Sequence, residues 1–551
     1  MKNLLLPIIL LGTIVSFSQD KGTFSGGLES NTQYYTDIPS GSSFSDEEDD
    51  PFRTNNYLRL NYDYKNWFAT VQLESYEPKA LLNFYPEYKG TDLGTYAIGY
   101  RSQKLEATLG HFYEQFGSGL ALRAWEDRQL GINNAIRGGR IKYSPTHSLS
   151  FTALYGRQRD GFHVSKGDLY GFNAEIGLTD LFKMESTFLD LGLSYVGRSE
   201  DLDISNPNFE SLTNIISTRL DISSGNFYSS AEYVYKSKDI HIENSTFFDD
   251  KYYGGNAFLM NLGYAKSGLG IDATFRRLEN MALFSERAQQ GNLFNQSIVN
   301  YIPALTKQHD YGLTNIYVYQ SQPTLNLFGT GNAGEIGGQI DMYYTFKKET
   351  PLGGKYGTKL AFNFSNWYGL KADYNTMEGT YGTAEILGFG EEFYRDASLE
   401  IRKKLSPKWS SIFTIVNTFY NKRIESSRGE VNATALVGEA TYKLGSGQSL
   451  RFEAQHLFSD DTSVDHEGNW YGGTIEYNIN SRIAVYVNDI YNYENSTQKT
   501  HYYNVGGSFT KGATRISANF GKQRGGLLCV GGVCRYVPEN TGFTLNISTA
   551  F

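Results

Sequence analysis

The 551-residue sequence is short of cysteine and proline, with 2 and 12 respectively, and holds only 5 tryptophans. Past its first residues no stretch approaches the ~20 apolar residues of a membrane-crossing helix, and mean hydropathy is -0.43. Helical membrane spans are therefore excluded. Cys529 and Cys534 are too few for a disulfide framework. No further Cys or His lies nearby to complete a zinc set, so in an exported chain they are expected to form a local disulfide. A basic block is also lacking: 50 Lys and Arg face 59 Asp and Glu, for a net charge of -9, which disfavours nucleic acid as a partner. No G-x-S-x-G elbow and no H-E-x-x-H pair occurs. His309-Asp310 is the one His–Asp neighbour pair, and adjacent strand residues point to opposite faces, so a dyad there requires a loop. Catalysis is the least favoured class, and no cofactor or metal is implied.

What the sequence does have is 42 Tyr, 35 Phe and 58 Gly, a composition suited to long antiparallel strands. Period-two alternation recurs from end to end. Leu58, Leu60, Tyr62 and Tyr64 share one face, while Tyr57, Arg59, Asn61 and Asp63 share the other. Leu269, Ile271, Ala273 and Phe275 alternate with Gly270, Asp272, Thr274 and Arg276, and Leu450, Phe452 and Ala454 with Arg451, Glu453 and Gln455. Turn residues punctuate this pattern at Lys65-Asn66, Ser224-Gly225, Ser267-Gly268, Ser406-Pro407, Gly445-Ser446-Gly447, Asn480-Ser481 and Lys511-Gly512. The spacing, roughly 40 residues per hairpin and longer connection, is the rhythm of a bacterial barrel. The expected fold is all-β: one transmembrane antiparallel up-and-down β-barrel of about 24 strands (22–26), with short periplasmic turns and longer extracellular loops. A polar mean hydropathy fits it, because every second residue faces the lumen.

The chain ends support export. Lys2, the apolar run Leu4 to Val15 and the small-x-small site Ser16-Phe17-Ser18 read as a signal peptide over residues 1–18. A single barrel domain over 19–551 is then expected in the cell outer membrane. The last strand places Phe543, Leu545, Ile547 and Phe551 on one face, a pattern like the recognition signal of barrels inserted by the outer-membrane assembly machinery. That machinery and outer-membrane lipid are the expected partners.

Two regions break the regular rhythm. The segment from Phe112 to Arg140 concentrates charge of both signs, in Glu114, Arg123, Glu126, Asp127, Arg128, Arg137 and Arg140. It could form a selectivity ladder at a lumenal constriction. The near balance of signs favours instead a mutually neutralising network that fastens a folded-in loop, with Asn133-Asn134 as turn residues. From about 280 to 332 the hairpin rhythm fails altogether, and loops of that length are functional or disordered. This one holds Tyr301, His309, Tyr317 and Tyr319, too aromatic for disorder, and is expected to fold over or into the barrel. A second long connection, about Trp367 to Phe393, is a candidate companion. Barrels of 22 strands enclose a lumen that is plugged in nature. Strand-like sequence begins by Thr23, so no N-terminal plug domain is expected, and blockage must come from inserted loops or a partner protein. The acidic run Asp46 to Asp50 reads as a solvated outward loop.

Phe112-Tyr113-Glu114-Gln115-Phe116-Gly117-Ser118-Gly119, Trp125-Glu126-Asp127-Arg128, Thr306-Lys307-Gln308-His309 and the hairpin Gly525 to Arg535 resemble an uncharacterised family of Bacteroidota outer-membrane proteins, domain of unknown function 6029. The resemblance implies location and fold, and no activity or site residues. The functional expectation is a passive or partner-gated conduit. The alternative is a non-conducting scaffold of an export, assembly or surface machine. A conduit requires a continuous water path, whereas a scaffold fits a filled lumen and an apolar patch on loops or turns.

Overall fold

The computed structural model describes residues 22–37, 51–81, 87–204, 206–207, 209–243, 246–289, 292, 295–425, 429–462, 467–495 and 497–551. The expected signal peptide and the run Asp46 to Asp50 lie outside them. Among the described residues one sheet of 24 antiparallel strands runs from Thr23–Asp37 to Asn540–Ala550, and the last strand pairs back onto the first. Closure satisfies every strand edge, as a bilayer demands. Among the described residues no helix is long and apolar enough to cross a membrane.

All seven expected turn sites join strands at one end of the barrel. Several adopt the left-handed backbone these residue types tolerate, such as Lys65 (φ 54), Gly268 (φ 83), Ser446 (φ 51) and Gly512 (φ 59). The long connections gather at the other end.

Alternation gives the wall two faces. Outward-pointing Ile98, Leu109, Ile141, Ile216 and Val505 are each more than half exposed, an apolar surface that a water-soluble protein does not present. Ring pairs flank this band at both ends. Trp67–Tyr100 and Trp409–Tyr442 lie toward the short turns, with centroids 5.3 and 4.6 Å apart; Tyr155–Tyr170 and Phe520–Phe543 lie toward the long loops, 5.3 and 4.5 Å apart. An apolar band between aromatic girdles is the exterior of a bilayer-spanning barrel. Phe543, Leu545 and Ile547 share this outer face, and the chain end is tied in by hydrogen bonds between Phe551 and Gly26.

The core lies inside the barrel. Ile136, Leu154, Leu169, Val196, Ile215, Val234, Ala257 and Leu278, one from each successive strand between Ile136–Thr146 and Leu269–Glu279, face the lumen and are buried. Val196 pairs directly with Ile215, and Val234 with Ala257 and then Leu278. This inner apolar arc is covered by connections 113–135 and 280–333, which fold into the lumen. The expected companion loop behaves differently. Strands extend to Leu370 and resume at Phe389, and the loop between them packs Ala372 and Ala384 against Phe275, Ile336 and Tyr368. Ile336 follows lumenal Glu335, so it points outward, and this loop lies on the outer rim because its apolar residues meet the wall there.

Candidate functional site

The segment 280–333 is a plug. Its first part sets Met281, Leu283, Val299 and Ile302 against the inner arc, and its second part sets Leu313, Ile316, Tyr317 and Tyr319 against Trp367, Tyr394, Val416 and Trp470 across the lumen. Burial of such side chains contributes ~1.5–3 kcal/mol each, so these contacts outweigh the polar ones, whose net contribution is near zero when desolvation is counted. The polar contacts set register. Arg198 and Glu200 of the wall form a box with Arg287 of the plug and wall Asp239: Arg198–Glu200 is 3.2 Å, Arg287–Asp239 2.9 Å, Arg287–Glu200 3.3 Å, and Arg198–Asp239 closes the square. On the other side the Glu335 carboxylate receives Arg276 at 2.6 Å, the Tyr319 hydroxyl at 2.5 Å and the Gln322 amide at 2.8 Å. Burial and that carboxylate push the Tyr319 hydroxyl well above its ordinary pKa, which keeps it a donor.

The connection 113–135 carries most of the charged residues singled out in the sequence, and they form a network. Glu114 bonds Arg140 at 2.9 Å, and Arg140 also bonds Glu106. Glu126 receives Arg128 at 3.2 Å, Gln72 at 3.2 Å and Asn133 at 3.2 Å. Arg128 reaches Glu29 at 2.5 Å and lies over the Tyr57 ring. Asp127 accepts the Leu130 amide, and Arg123 stacks on Tyr301, 3.8 Å from its centroid. Arg137 is the exception. Ile136 and Arg140 contact the inserted loop, so Arg137, on the opposite face of the same strand, points outward and lines no constriction. Asn133 and Asn134 are not turn residues. Both are buried, Ile132-Asn133 pairs with Glu126-Asp127, and the Asn134 side chain bonds the Trp125 amide and the Ile298 carbonyl. Gly117 (φ +55) lets the loop dive onto the wall, since a Cβ there would sit 2.1 Å from the Arg219 side chain.

Cys529 and Cys534 are disulfide-bonded across the hairpin Gly526–Val530/Val533–Val537. Its tip presses on the plug: the Ala304 amide donates to the Gly532 carbonyl at 2.8 Å and the Tyr301 hydroxyl to the Gly531 carbonyl at 2.7 Å. Arg535 donates to the Leu130 carbonyl and so ties the hairpin to connection 113–135.

The plug does not fill the lumen evenly. On the side of strands Gln448–Asp461 to Thr514–Gln523 a polar space of about 320 Å³ remains between plug and wall, lined by Asp310, Arg451, Glu453, Asn488, Asn504 and Arg524 among others. Among its lining residues Arg451 bonds Glu439 at 2.8 Å, and Arg524 donates to the Asn315 carbonyl at 3.3 Å. Arg59 and Asp63 share the inward alternation of Tyr57. His309 lies on the plug in loop conformation, with its Nε2 unpartnered among the described residues. Burial, reinforced by Lys307, lowers its pKa. Its side chain makes no described hydrogen bond to Asp310.

A larger cavity of about 390 Å³ opens among the loops, between plug segments 280–302 and 320–325, the hairpin tip and strand Phe227–Glu243.

A family profile, described as a family of unknown function (DUF6029), matches residues 1–551. The chain belongs to that family. No curated protein matches it. Among solved structures this family member is similar to the P pilus usher (PapC) translocation pore, at 9% identity and TM-score 0.43 over 96% of this chain and 99% of that one. It is also similar to the siderophore receptor PirA from Pseudomonas aeruginosa, at 8% identity and TM-score 0.40 over 98% and 81%. A BenF-like porin from Pseudomonas fluorescens Pf-5 matches at 10% identity and TM-score 0.36 over 96% and 98%. These likenesses extend to fold class alone.

Sequence reasoning missed the most buried ion pair among the described residues of this family member. Arg159 meets Glu74 bidentately at 3.0 and 2.5 Å, both fully buried, with Tyr76 at 2.6 Å and Gln72 at 2.8 Å completing the carboxylate. The signal was faint: the triad Gln72, Glu74, Tyr76 is a polar inner face, indistinguishable in pattern from a wetted one.

Proposed function

We propose that the protein is an outer-membrane conduit whose own loops reduce a wide lumen to a narrow polar seam. The seam beside the plug is the observation that supports this reading, because charged and polar side chains from Arg451 to Arg524 line the space that the plug leaves against this part of the wall. Charges of both signs line it, with Arg451 between Glu439 and Glu453 and Arg524 at the outer mouth. Small polar solutes fit such a path. Export through the leader 1–18, insertion by the assembly machinery through the Phe543 to Phe551 face, and a protein partner that shifts the plug all belong to this proposal.

The second reading is a non-conducting platform in an export, assembly or surface machine. It is favoured by Leu181 and Phe182, 69% and 62% exposed on a turn at the short-turn end, where a partner could dock. An enzyme is favoured by nothing in the site.

Single-channel recording in planar bilayers separates the two. The intact protein is expected to conduct weakly and steadily, and Asn504→Trp, which narrows the seam without touching the outer face, is expected to lower that conductance severalfold. A silent intact protein supports the platform.

A further inference from the structure

The cavity among the loops has a charge imbalance on its floor. Lys236, Arg198 and Arg287, all at most 4% exposed, face Asp239 inside it and Glu200 just behind. Both carboxylates are committed to the arginine box described above. The Lys236 ammonium donates to the Ala282 carbonyl at 2.9 Å and has no carboxylate within ion-pair distance among the described residues. An ammonium carries three N–H donors, so Lys236 keeps donors to spare in a buried place, where an uncompensated charge is costly. The Trp125 indole N–H also lines the cavity and has no acceptor among the described residues. The remaining wall is mixed: apolar side chains such as Ile240, Phe284, Ile298 and Ile302 stand beside polar ones such as Asn280, Asn300 and Gln320. The volume lies within the ~300–1,000 Å³ range of small-molecule sites.

We propose that this cavity binds a small organic monoanion, a carboxylate on an apolar body, with Lys236 as its charge partner and the Trp125 N–H as a second donor. The carboxylate cancels the residual positive charge, and the apolar body lies on the isoleucine side. The site stands apart from the seam, so it does not depend on whether the barrel conducts.

The test uses the full-length protein in a neutral maltoside detergent, with octanoate and octanol as probes in isothermal titration. Octanoate is expected to bind saturably and at least tenfold more tightly than octanol, and Lys236→Met is expected to remove that preference. Equal binding of the two probes by the unaltered protein overturns the proposal and needs no variant. Unchanged octanoate affinity in a folded Lys236→Met protein overturns it as well.

Discussion

At the scale of single residues, the buried ion pairs are where one substitution does most harm. Arg159→Met strands the Glu74 carboxylate in a dry site, where a lost partner costs ~3–5 kcal/mol. Urea unfolding of the folded barrel in lipid vesicles is expected to show a loss of that size, and the double variant Glu74→Gln/Arg159→Met is expected to recover part of it. Arg140 and Arg137 offer a sharper comparison. Arg140→Ala leaves Glu114 without an arginine partner and Glu106 with Arg101 alone, and is expected to cost ~1.5–3 kcal/mol, the range for hydrogen bonds to charged groups. Arg137→Ala, on the outer face, is expected to stay within ~0.5 kcal/mol. Equal effects in the same unfolding measurement would refute the orientation of this strand. The sequence showed both arginines and could not tell them apart. Its clue, that apolar residues face lipid and polar ones face the lumen, fails where the plug covers the wall: Ile136 is inward and apolar because the lumen beside it is dry.

At the scale of elements, the tip of the disulfide hairpin holds the plug from above. Gly532 has φ +80, and a Cβ there would lie 2.5 Å from the Ala304 carbonyl oxygen. Gly532→Ala is expected to lift the hairpin and speed hydrogen exchange at the Ala304 amide, which bonds the Gly532 carbonyl. Gly225→Ala is the matched control, since its φ is +59 but nothing lies within 4 Å. No change at Ala304 in the first variant would count against the latch. The strands, the turn sites and the long inserted segment were legible because alternation and turn chemistry are local signals. The outer-rim position of loop 371–388 was not, because its destination depends on which wall face its few apolar residues meet. The pairing of Cys529 with Cys534 was legible from their isolation and closeness, while the hairpin's grip on Tyr301 and Ala304 rests on contacts far apart in sequence.

At the scale of the whole molecule, a 24-stranded wall encloses more space than its own side chains fill, and the inserted loops supply the missing core. The plug packs apolar residues on both halves of the lumen, so the barrel combines a lipid-facing exterior with an interior close to that of a soluble domain. On this reading residues of the plug narrow the bore to the polar seam. The most direct test is single-channel conductance of a variant lacking residues 285 to 330, compared with the intact protein in the same bilayer. The deletion is expected to raise conductance many-fold; a deletion that folds as a barrel and conducts no more than the intact protein would rule this reading out.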